Sequence, residues 1–563
     1  MREHSKLTKA VLQRTIAHFM RQYGTVRETQ GALLDSLVRR NRDTVFGVEH
    51  GFREIRDAGD YQRRVPVRQW AEFSPYVDQV VQGRNDVLTR EPPFLFNWTS
   101  GTTGSPKMIP FTRRCEAAAR LTHRIWIYKI LLDNPELLSG PGLMQGRVLA
   151  LINAGVDGYT ESHVPYGSVS GNMYFRMPQI IRQAFSNAYD VYHIESIEAR
   201  YYTLLRFALQ QSCSFMMSGN PSGFQFLFEM ADRLGETLIR DIHDGTLAAR
   251  FEVPNHVRAA AINELPPNPE RARALSKAKE GTGRLRPIDY WPDLRVIGCW
   301  LGGSMGHFAP SLRDWCGESF RFRDIGYMAS EGFFTIPLGS DTPDGVLALH
   351  SAFFEFVPEE DFGRPEAPVL LAHELEAGSN YHVVITTTGG LYRYAINDVI
   401  RVTAMDGGSP SIRFLYKGGN VQNMQGEMVS VEHVMATMSA ATSALGLNLR
   451  HFQVVADLAN RRYVLQIEPL QGLPQPALHA LLSRFEKELG AQNVNYEYFR
   501  AHGVIDTPRL RLMQPGWYAR ITADHLARGR RESQFKPLVL ASTAQHPEMT
   551  EMEIAFEGEA AKA

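Results

Sequence analysis

The spacing of apolar positions divides the chain into short strands that alternate with helices. From Lys6 to about Ala58 the apolar residues recur at helical spacing, which predicts an amphipathic helical entry to the chain. Later apolar runs at Val148–Asn153, Phe215–Met217 and Leu294–Trp300 are typical of short buried strands. Strands predominate from Asp344 to Arg413. This alternation predicts an α/β architecture.

Turn residues mark where several of these elements begin. Ser222 follows a Gly-Asn-Pro turn and is predicted to cap a helix that reaches Leu234. A helix is also predicted from Ile109 to Leu132, beginning just beyond Pro110. We therefore expect each of these helices to follow a strand and a polar loop.

A nine-residue polar stretch precedes the second of these helices and follows a predicted strand that ends at Trp98. It reads Thr99-Ser100-Gly101-Thr102-Thr103-Gly104-Ser105-Pro106-Lys107. Small residues allow backbone N–H groups to approach an anion, hydroxyls add donors, and Lys107 adds a positive charge. The stretch therefore predicts a phosphate-binding loop, although it lacks the Gly-Lys-[Ser/Thr] ending of a Walker A loop. An ordinary surface turn would have a similar composition.

Composition narrows the class of protein. The chain has 563 residues, with 60 Lys+Arg against 61 Asp+Glu, so no broad basic field indicates nucleic-acid binding. No run approaches the roughly 20 apolar residues that span a bilayer, so we expect no membrane segment. Four cysteines without metal-ligand spacing argue against a zinc site and against a disulfide framework, and they favour a cytoplasmic protein. The oligomeric state is left open, with a monomer favoured.

The polar stretch resembles the phosphate loop of the adenylate-forming enzyme superfamily. Three further stretches, Trp291–Leu294, Gly302–Met305 and Tyr327–Gly332, resemble the adenine-side motifs of the auxin-responsive-promoter family of acyl acid amido synthetases. Leu391–Val399 resembles the third motif of that family, and the order and separation of the motifs also match. The resemblance runs from about residue 38 to 539, and the chain is identified as a bacterial-type member of the family.

The resemblance implies both a fold and a reaction. It implies a large domain over residues 1–417, with mixed sheets packed by helices and a β-barrel-like part, and a small mobile α+β domain over 418–563 that rotates between half-reactions. It also implies a ligase that uses ATP and Mg²⁺ to activate a carboxylic acid as acyl-adenylate. An amine, expected to be an amino acid, then yields an amide with release of AMP. An acid–thiol ligase using coenzyme A and a non-catalytic nucleotide-binding relative are the alternatives.

The resemblance assigns roles residue by residue. Lys536, Glu331 and Lys107 would be catalytic, and Glu331 would also be a magnesium ligand. The nucleotide-binding residues would be Thr99, Ser100, Gly101, Thr102, Thr103, Gly104, Gly303, Ser304, Tyr327, Ser330 and Asp398. Tyr327 would stack on adenine, which is favoured over the alternative of ordinary core packing. Asp398 would accept hydrogen bonds from ribose, although Asn397-Asp398 is also good turn chemistry.

Two motifs depart from the family pattern. Ala395 and Asn397 stand where plant members have Arg and Gly, which leaves Arg393 as the cation of that motif. Asn tolerates a left-handed backbone, so we expect the turn to survive. Lys536 is followed by Pro537-Leu538 instead of the family's Thr-Pro-Arg, which weakens its assignment as the catalytic lysine.

The acyl pocket is weakly specified. The family analogy indicates His123, Trp126 and Ile127 on the helix after the phosphate loop, together with the Gly219–Ser222 loop and Phe224. Core packing is the favoured explanation for each of these residues when it is taken singly. In a separate set, His163 and His307 would be bases, although lone loop histidines are usually structural or solvated.

Overall fold

The chain folds into two compact units in a computed structural model. The model describes residues 2–21, 25–98, 107–138, 145–364, 366–406, 408–418, 421–527 and 535–556. The first unit comprises Met1–Leu301, Leu312–Ile396 and Ile400–Phe414, and the second comprises Gly302–Ser311, Asn397–Val399 and Leu415–Ala563.

Helices lie along the whole described chain. Their bounds are α1 Arg2–Met20, α2 Val26–Arg40, α3 Val45–Glu49, α4 Ala58–Arg64, α5 Trp70–Val81, α6 Arg113–Asp133, α7 Val169–Phe175, α8 Gln179–Arg182, α9 Ile197–Leu209, α10 Pro221–Arg233, α11 Gly235–Asp244, α12 Asn255–Glu264, α13 Pro269–Thr282, α14 Pro287–Tyr290, α15 Ala309–Cys316, α16 Val431–Leu445, α17 Gln475–Gln492, α18 Val494–Ala501 and α19 Trp517–Ala527.

Strands alternate with these helices. Their bounds are β1 Leu95–Trp98, β2 Met108–Phe111, β3 Arg147–Leu151, β4 Gly158–Tyr159, β5 Pro165–Gly167, β6 Cys213–Ser218, β7 Val296–Cys299, β8 Arg321–Asp324, β9 Met328–Ala329, β10 Gly332–Phe333, β11 Thr335–Ile336, β12 Gly345–Leu347, β13 Ala352–Pro358, β14 Leu370–Leu371, β15 Asn380–Thr387, β16 Tyr394–Asp406, β17 Ser409–Lys417, β18 Val421–Gln422, β19 Val429–Ser430, β20 Leu449–Asp457, β21 Arg462–Pro469, β22 Arg509–Met513, β23 Leu540–Ala541 and β24 Thr550–Ala555.

The first unit contains a four-stranded parallel sheet in the order β3-β6-β7-β8. Its strands are almost wholly buried, as expected for a parallel sheet covered on both faces. The predicted strands at Val148–Asn153, Phe215–Met217 and Leu294–Trp300 coincide with β3, β6 and β7. The α/β prediction is therefore confirmed.

A second sheet in the first unit, in the order β2-β1-β5-β4, borders the predicted phosphate loop. The prediction that a helix begins just beyond Pro110 is wrong, because Met108–Phe111 pairs with β1 as an antiparallel strand. β2 is at the edge of the sheet, where a proline is tolerated. The helix begins only at Arg113, where Thr112 Oγ1 accepts a hydrogen bond from the Cys115 N–H at 3.3 Å.

The β-rich part predicted from Asp344 to Arg413 lies within a seven-stranded sheet in the order β11-β12-β17-β16-β15-β13-β14. Strands β13 and β15 pair antiparallel over seven residues. Buried Phe353, Phe354 and Ile385 place the sheet within the large hydrophobic core of the first unit.

The second unit is built on a five-stranded mixed sheet in the order β23-β20-β21-β22-β24. Helices α16 and α17 pack together, and their buried Met438, Leu482 and Phe485 share a core with strand residues Val454 and Leu465. The sheet with its helices has the predicted α+β character. No helix of the described residues is long and apolar enough to cross a bilayer.

The cap of α10 also differs from the prediction. Asn220, not Ser222, is the N-cap residue, since its Oδ1 accepts a hydrogen bond from the Ser222 N–H at 2.9 Å. Pro221 occupies the first helical position, where its missing N–H costs nothing. The helix therefore begins one residue before Ser222.

Candidate active site

The strands on either side of the predicted phosphate loop lie next to each other. Trp98 at the end of β1 pairs with Met108 at the start of β2. The chain therefore leaves the sheet on β1 and re-enters it on the neighbouring β2. The predicted residues Thr99, Ser100, Gly101, Thr102, Thr103 and Gly104 lie outside the described residues, whereas Lys107 is described.

Lys107 is half-buried and contacts two aromatic side chains. Its Nζ donates a hydrogen bond to the Tyr394 hydroxyl at 3.0 Å. The same nitrogen lies 5.4 Å from the centre of the Trp70 ring, within the range of a cation–π interaction. The ammonium group of Lys107 is therefore held at the end of the loop segment by defined contacts.

Ser330 and Glu331 form the two-residue tip of the β9–β10 hairpin. The flanking residues Ala329 and Gly332 are paired across the hairpin. Asn97, which is 2% exposed on β1, donates from Nδ2 to the Ser330 carbonyl at 2.9 Å. This bond holds the hairpin turn against β1, the strand that leads into the phosphate-loop segment. The half-buried Glu331 lies on the same turn.

Tyr327 lies just before this hairpin and is 8% exposed. Its ring stacks on Phe414 with centroids 5.4 Å apart and an interplanar angle of 28°. The Tyr327 N–H donates to Thr335 Oγ1 at 2.8 Å. The ring is thus fixed by packing on Phe414, and its adenine-stacking role stays a prediction.

The helix that follows β2 reaches the same hairpin. The His123 ring on α6 meets the Phe333 ring of β10 edge-on, with centroids 5.1 Å apart. Burial lowers the pKa of His123 to about 4, so its imidazole is neutral at physiological pH. A neutral ring in an apolar setting fits an acyl-pocket wall and does not fit a cation that neutralises charge.

The other acyl-pocket candidates are mostly core residues. Trp126 donates from Nε1 to the Asp324 carbonyl at 2.8 Å, and Ile127 is half-buried. Phe224 is fully buried and stacks on Phe228. Their role as a pocket stays a prediction.

Arg393 forms a buried ion pair. Its Nε contacts the two carboxylate oxygens of Glu355 at 3.1 and 3.0 Å, and both side chains are buried. Its Nη1 donates to the carbonyls of Gln62 and Val65. The one cation that the third motif retains therefore holds the fold of the first unit together.

Asp398 belongs to the second unit and is 5% exposed. Lys417 lies 3.3 Å from its carboxylate as an ion pair. The preceding Asn397 has φ of 63° and donates from Nδ2 to the Gly418 carbonyl at 2.7 Å. The expectation that Asn397 preserves a left-handed turn is therefore confirmed.

Lys536 lies in the same unit as Asp398 and is exposed to solvent. Desolvation of its ammonium group by surrounding protein nevertheless lowers its pKa from the usual value of 10.5. The negative charge of Asp398 opposes this shift, and the positive charge of Lys417 adds to it. The three charged groups form one electrostatic cluster.

Gly303 begins a short 3-10 turn, Gly303–Phe308, in the second unit. Its φ of 57° is in the left-handed region that favours glycine. The side chains of Ser304 and His307 lie outside what the structure describes. His163 lies in a loop with φ of 60°.

Each unit thus brings some predicted residues together. In the first unit, the hairpin tip with Ser330 and Glu331 is bonded to the strand before the phosphate loop. In the second unit, Asp398 and Lys536 belong to one charge cluster. The sequence analysis missed Asn97, Trp70 and Tyr394. Asn97 did carry a signal, because it is the one polar residue in the run Phe94–Trp98.

Comparison with known proteins covers nearly the whole chain. Residues 15–320 match the GH3 family N-terminal domain, 345–417 the GH3 family central domain and 432–545 the GH3 family C-terminal domain. The jasmonoyl–L-amino acid synthetase GH3.5 of Oryza sativa subsp. japonica is 23% identical over 94% of this chain and 95% of its own length. The indole-3-acetic acid-amido synthetase GH3.8 of Oryza sativa subsp. indica is 24% identical over 91% of this chain and 87% of its own.

Solved structures give the same fold. The GH3.15 acyl acid amido synthetase superposes with a TM-score of 0.81 at 18% identity, covering 95% of each chain. A 2-hydroxyisobutyryl-CoA ligase in the postadenylation state superposes with a TM-score of 0.50 at 14% identity, covering 94% of this chain and 88% of its own.

Proposed function

The chain belongs to the GH3 family, and we propose that it is an ATP-dependent ligase that joins a carboxylic acid to an amine through an acyl-adenylate. An amino acid is the expected amine, in keeping with the names of the plant relatives. The observation that carries the proposal is the Asn97–Ser330 bond. It places the carboxylate-bearing turn of Glu331 against the strand entering the phosphate-loop segment.

The first half-reaction joins two anions. A carboxylate oxygen of the acid attacks the α-phosphorus of ATP, the bond to the β-phosphate breaks, and pyrophosphate leaves. Because both reactants are negative, positive groups must offset their repulsion and the charge that develops. Lys107 and Lys536 are the lysines proposed for this task. The lowered pKa of Lys536 reflects an ammonium group that has lost part of its hydration.

Glu331 fits a magnesium site by its chemistry. Mg²⁺ prefers hard oxygen ligands and usually binds one or two carboxylates together with substrate phosphates. Glu331 is a half-buried carboxylate on a turn whose Ser330 carbonyl accepts a hydrogen bond from the Asn97 side chain, so the turn is fixed while the carboxylate remains partly exposed. The ion, when bound, would neutralise phosphate charge.

The nucleoside would be held by residues of the adenine-side motifs and of the third motif. Tyr327 would offer its ring to adenine, and Gly303, Ser304 and Ser330 would line the nucleotide. Asp398 would accept hydrogen bonds from the ribose hydroxyls, and Lys417 pairs with its carboxylate. These roles come from the family motifs.

In the second half-reaction, the amine nitrogen attacks the carbonyl carbon of the adenylate and AMP leaves. The mixed anhydride is already activated, so the protein must mainly position the amine and accept its proton. We propose that residues 418–563 act as a small domain that rotates between the two half-reactions. Lys536 would then serve adenylation only, and Lys536→Ala should spare aminolysis of a supplied acyl-adenylate.

The test is acid-dependent exchange of labelled pyrophosphate into ATP with Mg²⁺, over a panel of carboxylic acids. We expect exchange with a cognate acid, AMP as the nucleotide product, and loss of exchange in Glu331→Gln. Formation of ADP, or no exchange over a broad panel, would refute the proposal. Adding amino acids or coenzyme A to the adenylate then separates an amide-forming ligase from an acyl-CoA ligase. The cysteine-poor composition is in keeping with the cytoplasmic setting that we also propose.

A further inference from the structure

Two aromatic residues surround the ammonium group of Lys107, and neither belongs to the phosphate-loop segment. Tyr394 accepts a hydrogen bond from Lys107 Nζ at 3.0 Å through its hydroxyl. Trp70 and Tyr394 also place their ring centres 5.4 and 5.8 Å from the same nitrogen. Both ring distances are within the roughly 6 Å over which an aromatic face attracts a cation.

The fold fixes both aromatic residues independently of Lys107. Arg68 forms a parallel bridge with Tyr394, donating its N–H to the Arg393 carbonyl at 3.0 Å and accepting from the Ala395 N–H at 2.8 Å. Trp70 begins α5 two residues later. The start of α5 is thereby held beside the start of β16, so the two rings form a preformed site.

Burial makes the Tyr394 hydroxyl a defined partner. Tyr394 is 1% exposed, and its ring also packs edge-on against Phe73 and Trp70. A buried hydroxyl without a partner is costly, so the bond to Lys107 is worth more than one made in water. The phenol cannot turn away to solvent.

We propose that Tyr394 and Trp70 are positioning residues that orient Lys107 toward the nucleotide phosphates. A lysine side chain has four rotatable bonds, and holding its ammonium group in place lowers the entropy lost when a phosphate binds. The inference rests on the proposed function for the ligand at Lys107. Tyr394 and Trp70 both lie outside the phosphate-loop motif.

A double-mutant cycle tests the inference. The variants are Tyr394→Phe, Lys107→Met and the two combined, and the probe is α,β-methylene-ATP, titrated by calorimetry. Loss of a hydrogen bond to a charged group should weaken binding roughly ten-fold in Tyr394→Phe. In the Lys107→Met background the same change should cost less than about two-fold, because Tyr394 acts through Lys107.

Tyr392→Phe is the matched control. The Tyr392 hydroxyl is equally buried but donates to the Leu88 carbonyl at 2.7 Å, away from Lys107. This variant should bind the probe as the wild type does. Trp70→Leu supplies a second variant if Tyr394→Phe folds poorly, with an expected loss of about two- to five-fold that also disappears without Lys107.

Three results would overturn the inference: unchanged binding in Tyr394→Phe, equal losses with and without Lys107, or an equal loss in Tyr392→Phe. Pyrophosphate exchange is measured in parallel. If exchange is absent in the wild type but the binding cycle shows coupling, the proposed reaction fails and the positioning role stands. If exchange is present without coupling, the reaction stands and the positioning role fails.

Discussion

Replacing Glu355 by Gln should destabilise the first unit strongly. The carboxylate is fully buried on β13 and accepts both contacts from Arg393 Nε, together with a third bond from Gln62 Nε2 at 3.0 Å. A glutamine of the same shape removes the charge and turns an amide N–H₂ toward one of the two donors that now bond the carboxylate, Arg393 Nε and Gln62 Nε2. Arg393 then keeps the carbonyls of Gln62 and Val65 and faces at most one neutral amide oxygen in place of the carboxylate.

The magnitude follows from burial. Removing one partner of a buried ion pair typically costs about 3–5 kcal/mol, because the remaining charge is left uncompensated in a poorly polarisable setting. A guanidinium group does not lose its proton in proteins, so the change leaves a buried positive charge in place. We therefore expect Glu355→Gln to cost at least about 3 kcal/mol. Adding Arg393→Gln should recover part of this loss, since the second change removes the unpaired charge.

The assay must resolve one unit of a two-unit chain, because a single global transition is not assured at this size. Native-state hydrogen exchange of peptides from β13 and β15 gives the local opening free energy directly. The matched control is Glu198→Gln, which removes the partner of Arg233 in an exposed ion pair and should cost less than about 1 kcal/mol. A change under about 1 kcal/mol in Glu355→Gln would refute the reasoning, as would a loss equal to that of the control.

Three further predictions concern the site. Asn97→Ala removes the hydrogen bond to the carbonyl of the half-buried Ser330 and should lower the rate of pyrophosphate exchange about ten-fold, with little change in the KM of the acid. A rate equal to that of the wild type would contradict the assigned role. Desolvation lowers the pKa of Lys536 below 10.5, whereas the charge of Asp398 raises it, so the rate of pyrophosphate exchange should fall with rising pH before a free lysine would titrate. Asp398→Asn removes the charge that raises this pKa and should move the alkaline fall to lower pH. An unchanged or higher pH midpoint of that fall would contradict the predicted direction. Gly389→Ala would place a Cβ 2.5 Å from a backbone carbonyl of β2 and should lower the midpoint temperature of thermal unfolding. Gly472→Ala has open space around its Cβ and should leave that midpoint unchanged. Equal midpoints in the two variants would show that β2 shifts to accommodate the added methyl group.

The sequence predicted local features well because they depend on neighbouring residues. The buried strands β3, β6 and β7 follow from short apolar runs, and the left-handed turn at Asn397 follows from the tolerance of that side chain. The start of α6 was missed because Met108–Phe111 has no strand signal of its own. Its pairing with β1 across the loop decides its conformation.

The links that define the candidate site could not be predicted in this way. The Asn97–Ser330 bond joins residues 233 positions apart, and the Lys107–Tyr394 bond joins residues 287 positions apart. Residue types and motif spacing do not show which distant partner a polar side chain will meet. Arg393 is the clearest example, because the motif makes it the remaining cation and the fold commits it to Glu355.

The departures in the third motif become intelligible from the positions of their side chains. Ala395 is buried in an apolar cluster with Val357 and Val384, so a small apolar residue suits that position in this chain. Asn397 adopts the left-handed backbone that glycine would supply and ties it to Gly418 through its own amide. Both substitutions leave the backbone that presents Asp398 intact. The motif therefore keeps the backbone around Asp398 while it has an alanine where plant members carry an arginine, so in the proposed reaction the phosphate charge would be neutralised by lysines outside the motif.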